Sequence, residues 1–169
     1  MTSLDGQELT LALRDGGTAK IQLADNWSVL EMSRIDPSKI TTGQFVGAGA
    51  ARLPDGSLKA VQVIVFPESM RGNNEGHRAW DVVPQGTMTN APVVATVTAA
   101  QGPELTLSTS GQSYRISVPP EAMVAMYEHG SRDQVKRGVP VAVVATRRPD
   151  GTFAAPRVVV GKNGNEPPA

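Results

Sequence analysis

The sequence predicts an all-β protein with short helices, in which two five-stranded barrels follow each other along the chain as an internal duplication. Three observations lead to this prediction: a 26-residue segment occurs twice, strand-like alternation recurs between turn signals, and glycine and proline are frequent. The 169 residues include 17 Gly and 13 Pro, and aromatic residues make up only 4%. Such a composition is typical of many short strands joined by tight turns.

The internal repeat is the strongest feature of the sequence. Residues 40–65 (ITTGQFVGAGAARLPDGSLKAVQVIV) match residues 135–160 (VKRGVPVAVVATRRPDGTFAAPRVVV) without a gap at an offset of 95, with ten identical positions. The quartet ELTL also occurs twice, at residues 8–11 and 104–107. A period of this length is too long for a solenoid and indicates the tandem duplication of a whole domain.

The second copy contains a complete set of predicted elements in the order strand, strand, strand, helix, strand, strand. The strands are predicted over residues 94–99, 105–108, 114–118, 139–148 and 153–160, with a helix over residues 121–129. The residues expected to point inward are Leu105, Leu107, Ile116 and Val118. Pro149-Asp150-Gly151 predicts a hairpin turn, because Pro fixes φ and Gly accepts a positive φ. This order of elements is that of an OB-fold, a small Greek-key barrel.

The first copy fits the same template but lacks its beginning. Residues 2–6 align with residues 98–102, so most of the first strand should lie upstream of Met1. We expect that an export signal has been removed together with that strand, the alternative being a barrel that is open on one edge. Residues 26–34 (NWSVLEMSR) occupy the position of the helix.

Four segments are predicted on this basis. They are a first OB-like barrel over residues 1–66, an ordered insert over 67–92, a second OB-like barrel over 93–161 and a disordered tail over 162–169. The insert belongs to neither copy of the repeat. Long loops in compact proteins are either functional or disordered, and Trp80 favours an insert that is ordered and folded onto a barrel.

The repeat (G-x-x-V…D-G-x-x-x-A…V-x-V) and the insert (GHRAWD…GTMTNA) resemble an uncharacterised bacterial family of tandem OB-like β-barrel proteins. The resemblance extends over essentially the whole chain, and the insert is its most specific part. It implies a periplasmic or secreted protein of the cell envelope, since members of the family generally carry an export signal. Residues 2–17 are too polar for a signal peptide, so a cytoplasmic location stays as the alternative. The resemblance implies no particular activity.

Composition and charge argue against several classes of function. Sixteen Lys and Arg residues balance sixteen Asp and Glu residues, so the net charge is zero, which argues against nucleic acid as the partner. The chain has no Cys, which excludes disulfides, thiol catalysis and Cys-based zinc sites. No apolar run approaches the ~18 residues that a transmembrane helix needs.

The insert contains four candidate metal ligands, Glu75, His77, Asp81 and Met88. One imidazole, two carboxylates and a thioether suit copper or another divalent transition metal. The alternative is a structural loop without a cofactor, in which Trp80 closes a barrel end and the His77 and Asp81 side chains hydrogen-bond to the backbone.

Six residues are candidates for contacts with a partner: Arg71, Arg78, Trp80, Tyr114, Arg115 and Arg147. The last three form a small basic cluster with an aromatic residue, the combination that single-stranded nucleic acid binding requires. No recognisable nucleophile and base occur together, so we predict no enzymatic activity. The predicted function is non-catalytic binding or structural support in the cell envelope, with a protein, glycan or small molecule as partner. A metal-binding accessory protein is the alternative, and a single-stranded nucleic-acid-binding OB module is a third, less favoured interpretation.

Overall fold

The protein is mostly β-structure, as predicted. The computed structural model describes residues 1–167. Strands account for 56% of the residues and helical turns for 7%. Alternating apolar residues, β-branched side chains and turn residues in the sequence all favour this outcome.

Thirteen strands lie between residues 1 and 167. The first seven are β1 (Ser3–Asp5), β2 (Glu8–Ala12), β3 (Thr18–Arg34), β4 (Phe45–Arg52), β5 (Leu58–Val65), β6 (Gly76–Trp80) and β7 (Gly86–Ala99). The others are β8 (Gly102–Thr109), β9 (Gln112–Ser117), β10 (Met123–His129), β11 (Val141–Ala142), β12 (Thr146–Arg147) and β13 (Phe153–Gly161). The helical part consists of the 3-10 turns Pro37–Lys39, Glu68–Met70, Arg132–Gln134 and Lys162–Gly164.

The strands form two compact units, and one of the two is discontinuous in sequence. Unit 1 combines Met1–Ser33 with the chain from Glu128 onward, and unit 2 is Arg34–Tyr127. This division differs from the predicted boundaries at residues 66, 92 and 161. The reason is that each unit contains strands from both halves of the chain, whereas the prediction assigned each barrel to one contiguous segment.

Five strands of unit 2 close into a barrel. The order is β7-β8-β9-β5-β4, and β4 pairs back with β7. Four of these pairings are antiparallel, while β5 and β9 run parallel with Leu58 opposite Ile116. Two further strands extend this barrel: β6 pairs with the first half of β7, and β10 runs parallel to β5.

One face of each barrel strand fills the interior of unit 2. The predicted inward residues Leu105, Leu107, Ile116 and Val118 are at most 1% exposed and belong to one apolar cluster. Val46, Ala48 and Ala50 of β4 belong to the same cluster. Because side chains alternate along a strand, Gly47 and Gly49 lie on the outer face of β4.

Unit 1 has a separate apolar core, to which β2, β3 and β13 contribute. β1 and β3 flank β2 in antiparallel pairing, and β13 runs parallel to β3 with Phe153 opposite Ile21. β11 and β12 pair with β13. Phe153 and Ile21 stand 95 residues from Leu58 and Ile116, the pair that joins β5 to β9.

The repeated Pro-Asp-Gly sequences form hairpin turns, as predicted. Gly56 and Gly151 have φ values of 84° and 87°, which glycine adopts without strain. Asp55 accepts hydrogen bonds from the amide and hydroxyl of Ser57, and Asp150 accepts the same two from Thr152. These bonds lower the pKa of both carboxyl groups and assign the two aspartates to turn formation.

Both predicted helices are wrong. Residues 121–129 contain β10, whose Met123–Met126 segment pairs in parallel with residues 62–65 of β5. Residues 26–34 continue β3, where residues 28–32 pair with residues 157–161 of β13. Helix propensity amounts to only tenths of a kcal/mol per residue, so ladder hydrogen bonds and burial with a neighbouring strand override it.

Two other predictions need correction. The strand predicted over residues 139–148 is interrupted between β11 and β12, opposite the part of β13 that contains Pro156, and proline has no N–H to donate to a ladder. The tail predicted over 162–169 begins with the 3-10 turn Lys162–Gly164, and Asn165 donates a hydrogen bond to the Lys162 carbonyl at 2.6 Å. Pro168 and Ala169 lie outside the described residues.

Candidate functional site

The insert, residues 67–92, supplies part of the unit 2 barrel itself. It contains the 3-10 turn Glu68–Met70, strand β6 and the first half of β7, and this half of β7 pairs with β4 and closes the barrel. β6 pairs with β7 from Gly76 opposite Asn90 to Trp80 opposite Gly86. This ladder fixes which side of β6 each insert side chain occupies, because successive side chains point to opposite faces.

The Trp80 indole lies directly over Gly49 of β4. A Cβ atom at Gly49 would stand 2.6 Å from Cζ3 and 2.7 Å from Cη2 of the indole. Only glycine leaves room for this contact. Gly47 makes the same allowance on the same face, since a Cβ there would lie 2.8 Å from the Asn90 side chain and 2.9 Å from the Phe66 ring.

The structural interpretation of the insert predicted that Trp80 closes a barrel end, and this prediction is wrong. The Trp80 ring covers the outer face of a barrel strand, and the side chain stays partly exposed. Side chains alternate along a strand, and residues opposite each other in neighbouring strands point to the same side of the sheet. Because β6 pairs with β7 and β7 pairs with β4, Trp80 points to the same side as the outward glycines of β4. His77 is three residues away and points to the other side.

A shallow surface depression of about 790 Å³ surrounds Trp80. Val83 and Pro84 provide further apolar lining, and Asp81 and Gln85 provide polar groups. Gln85 has a φ of 52°, in the left-handed region, and its carbonyl accepts a hydrogen bond from the Arg52 amide at 3.4 Å. Within residues 1–167, the structure gives the side chains of Asp81 and Gln85 no hydrogen-bond partner in the protein.

On the other side of β6, His77 stacks on Tyr114 of β9. The ring centroids are 4.0 Å apart and the planes differ by 12°. His77 Nδ1 lies 2.8 Å from the Thr89 hydroxyl oxygen, and the Tyr114 hydroxyl donates to Gln112 at 2.7 Å. His77 thus bonds to a side chain rather than to the backbone that the structural reading predicted.

The His77 environment favours the neutral imidazole. Burial and, secondarily, the nearby Arg52 guanidinium hold the pKa of His77 below its usual 6.5. Thr89 is fully buried at 0% exposure, so its hydroxyl cannot reach a substrate despite the hydrogen-bonded imidazole. The pair therefore links β6 to β7 and does not form an accessible nucleophile and base.

The structure separates the four candidate metal ligands. Glu75 and Asp81 flank opposite ends of the extended strand β6, which places them about 20 Å apart at ~3.3 Å per residue. Met88 is half-buried on β7 opposite Arg78, and His77 is engaged with Thr89 and Tyr114. Across residues 1–167 no group of three or more His, Asp or Glu side chains is placed to hold a metal ion.

The candidate arginines make local contacts. Arg71 pairs with Glu68 and donates to the Gly43 carbonyl at 2.6 Å. Arg115 pairs with Glu104 at 2.6 Å. Arg78 of β6 donates to the Asn74 carbonyl, in the turn before the strand, at 3.0 Å. Arg147 is exposed on β12 of unit 1, whereas Tyr114 and Arg115 belong to unit 2, so the predicted basic cluster is divided between the units.

Sequence reasoning identified Trp80, His77 and Tyr114 but missed the residues that position them. Gly49 was read as part of a repeat and not as the contact surface for an indole. The repeat itself contains the signal: residues 47–50 read GAGA, while the matching residues 142–145 read AVVA. Glycines specific to the copy that precedes the insert indicate where the insert packs.

Thr87 and Thr89 are two buried threonines of β7 whose hydroxyl groups differ in hydrogen bonding. Its hydroxyl oxygen is buried without a hydrogen-bond partner, whereas that of Thr89 is bonded to His77. We expect Thr87→Val to stabilise the protein by about 1 kcal/mol, because an unpaired buried hydroxyl is replaced by a methyl group. Thr89→Val should destabilise it by about 1–2 kcal/mol, because His77 loses its partner. Urea denaturation measures both variants, and equal shifts of the same sign would contradict this assignment.

No protein-family model, no curated protein and no solved structure matches this chain. Among the described residues no helix is long and apolar enough to cross a membrane. The function is therefore inferred from the geometry around Trp80 and from the chemistry of the groups beside it.

Proposed function

We propose that the protein is a non-catalytic binding protein of the cell envelope and that its ligand is a saccharide held in the Trp80 depression. The observation that carries the proposal is the arrangement of Trp80, Asp81 and Gln85 around one open cavity. A ligand site combines apolar lining with a few polar groups that fix orientation. Residence in the envelope is supported by the sequence resemblance alone.

The chemistry of the depression suits a sugar ring. An indole face offers a flat apolar surface for the C–H groups of a pyranose. Asp81 accepts hydrogen bonds, and the Gln85 amide both donates and accepts, which matches hydroxyl groups that do both. The indole packs against Gly49, which restrains the ring before the ligand arrives, and preorganisation of this kind strengthens binding.

We further propose that the scaffold is a duplicated OB-like fold whose two copies exchange their last two strands. Two pairings support this: Leu58 of the first copy opposes Ile116 of the second, and Phe153 of the second opposes Ile21 of the first. Both parallel pairs recur at the 95-residue offset of the sequence repeat. The OB-fold has a similar order of five strands, in which the third and fifth are neighbours.

A glycan array followed by fluorescence titration tests the binding proposal. The chain has two tryptophans, and Trp27 is 5% exposed in the core of unit 1, so a ligand-dependent signal should come from Trp80. Trp80→Phe should abolish the fluorescence change. Asp81→Ala and Gln85→Asn should each weaken binding about three- to tenfold, the equivalent of one hydrogen bond. Asn tolerates the left-handed backbone at this position.

Glu75→Gln is the matched control, because Glu75 is an exposed carboxylate at the other end of β6, and it should bind like the natural chain. Two results would contradict the proposal: no saccharide bound at millimolar concentration, or binding that Asp81→Ala and Gln85→Asn leave unchanged.

A further inference from the structure

The second half of β7 has a neighbouring strand on one edge only. Residues 94–99 lie beside β8, from Ala95 opposite Thr106 to Ala99 opposite Gly102, and pair with no other strand in residues 1–167. β4 covers the other edge of β7 only as far as Val93, whose amide donates to the Gln44 carbonyl at 2.9 Å and whose carbonyl accepts from the Gly43 amide at 2.8 Å. Beyond Val93 this edge is open.

Hydrogen bonds of the neighbouring strands identify the main-chain groups that point to the open edge. In an antiparallel sheet the N–H and C=O groups of one residue point to the same edge, and successive residues alternate. The Pro103 carbonyl accepts a hydrogen bond from the Val118 amide at 2.8 Å, so Pro103 faces away from β7. Thr98 is opposite Pro103, and Thr96 is two residues earlier. Both threonines therefore direct their N–H and C=O groups to the open edge.

The open edge is exposed and uncharged. Residues 94–99 are all exposed, with Val94 at 47% and Val97 at 57%. Residues 93–102 (VVATVTAAQG) contain no charged residue and no proline. Natural edge strands are blunted by charge, by proline or by coverage with another segment, and β-branched residues favour the extended backbone that pairing requires. This segment is therefore suited to pair with another strand.

We propose that two copies of the chain pair through residues 95–99, with the two β7 strands antiparallel and a two-fold axis at Val97. A second copy is the occupant because the segment is complementary to itself. In this register Thr96 of each copy lies opposite Thr98 of the other, and these are the residues whose main-chain groups face the open edge. Each such pair exchanges two hydrogen bonds, so the symmetric contact contains four.

The side chains are compatible in the same register. Val97 lies opposite Val97 and Ala95 opposite Ala99, and cross-strand pairs of threonines or β-branched residues are favourable. Glu104 of β8 lies opposite Val97 and forms an ion pair with Arg115 at 2.6 Å. Three strand spacings separate the Glu104 residues of the two copies, about 14 Å, which exceeds the Debye length of ~8 Å at physiological ionic strength. The contact therefore brings no like charges together.

The pairing of the two β7 strands predicts a weak, reversible dimer. A ladder of five residues from each copy buries less surface than a permanent dimer needs, and small contacts of this kind are transient. Main-chain hydrogen bonds provide most of the affinity when one strand adds to the edge of another. The proposal is independent of the Trp80 depression, whose lining lies within residues 79–86.

The test is sedimentation equilibrium of the full chain between about 10 μM and 1 mM, the concentrations at which a weak dimer forms. The dimer fraction should rise over this range, and amide exchange of Thr96 and Thr98 should slow at least threefold with it, while the Val97 amide, which faces β8, should not change. Thr96→Pro should weaken dimerisation at least tenfold, since proline cannot donate to a ladder and its ring obstructs pairing. Val97→Lys should weaken it at least threefold, because like charges then lie directly opposite each other.

A mixture of two variants tests the two-fold axis itself. Val97→Glu should weaken dimerisation as Val97→Lys does, and mixing the two variants should restore it, because opposite charges then meet at the axis. Val82→Lys is the matched control, since Val82 is a 60% exposed valine of unit 2 outside any strand, and it should dimerise like the natural chain. The proposal is overturned if the chain stays monomeric at about 1 mM, if Thr96→Pro or Val97→Lys dimerises unchanged, or if the mixture does not recover.

Discussion

A fragment of residues 34–127 should fold by itself, whereas fragments of residues 1–66 and 93–161 should not. All five strands of the closed barrel lie within residues 34–127, together with every buried member of the unit 2 core. The other two fragments follow the sequence repeat and separate strands that pair with each other. Residues 93–161 retain β9 without β5, and residues 1–66 retain β4 without β7.

The folding of each fragment can be read from amide dispersion in ¹H–¹⁵N spectra and from the cooperativity of thermal unfolding. We expect dispersed signals and one sigmoidal transition for residues 34–127, and narrow dispersion with no transition for the other two fragments. The fragment of residues 34–127 has 94 residues and the other two have 66 and 69. Many domains of about 55–65 residues fold alone, so the shorter length does not by itself prevent the other two from folding. A dispersed spectrum for residues 93–161 would show that a barrel forms within one copy, and the exchange of strands would then be rejected.

Local patterns were sufficient to predict the β-strands and their inward faces. Leu105, Leu107, Ile116 and Val118 alternate with polar residues, and all four are buried. The Pro-Asp-Gly turns were predictable for the same reason, because their conformation depends on three or four consecutive residues. The helix predicted over residues 121–129 failed because that segment pairs with β5, about 60 residues earlier in the chain, and its local preference does not encode this partner.

Which strands belong to each of the two units could not be predicted from the sequence. Repeated segments predict that β4–β5 and the β11–β13 region form similar hairpins, and both do. Nothing in a hairpin sequence specifies which of two similar third strands it should join. Ile21 and Ile116 occupy matching positions of β3 and β9, are the same residue type and are both buried, so this position does not distinguish the two strands as partners.

In the candidate site, too, the features that are local in sequence could be predicted and the distant partners could not. Trp80 and His77 were identifiable because an aromatic residue and a histidine in a long insert are unusual. Their partners are distant in sequence: Gly49 lies 31 residues before Trp80, and Tyr114 lies 37 residues after His77. Strand parity on β6 decides that one ring faces the outer glycines and the other faces Tyr114. A metal site was predicted because Glu75, His77 and Asp81 are close in sequence, but an extended strand separates its ends.

Gly49→Val should destabilise unit 2 by about 2–3 kcal/mol, the upper part of the range of roughly 1–3 kcal/mol for overpacking a well-filled site. Any Cβ at this position stands 2.6 Å from the indole of Trp80, so the ring must leave the face of β4. The free energy of unfolding is measured by urea denaturation, following the transition that the fragment of residues 34–127 assigns to unit 2. Trp80 fluorescence should shift to longer wavelength in the native state, because the displaced indole becomes more exposed.

A double-mutant cycle with Trp80→Ala separates steric conflict from a general loss of strand stability. If the indole is the obstacle, Gly49→Val should cost at least 1 kcal/mol less in the Trp80→Ala background, which is within the range for residues in contact. Val144→Ala at the matching repeat position should change stability by less than about 0.5 kcal/mol, because Val144 is 87% exposed. An equal cost of Gly49→Val in both backgrounds would mean that Gly49 is required by the backbone of β4 and not by the insert. The presence of glycine on the outer face of β4 would then be no evidence that the Trp80 indole packs there.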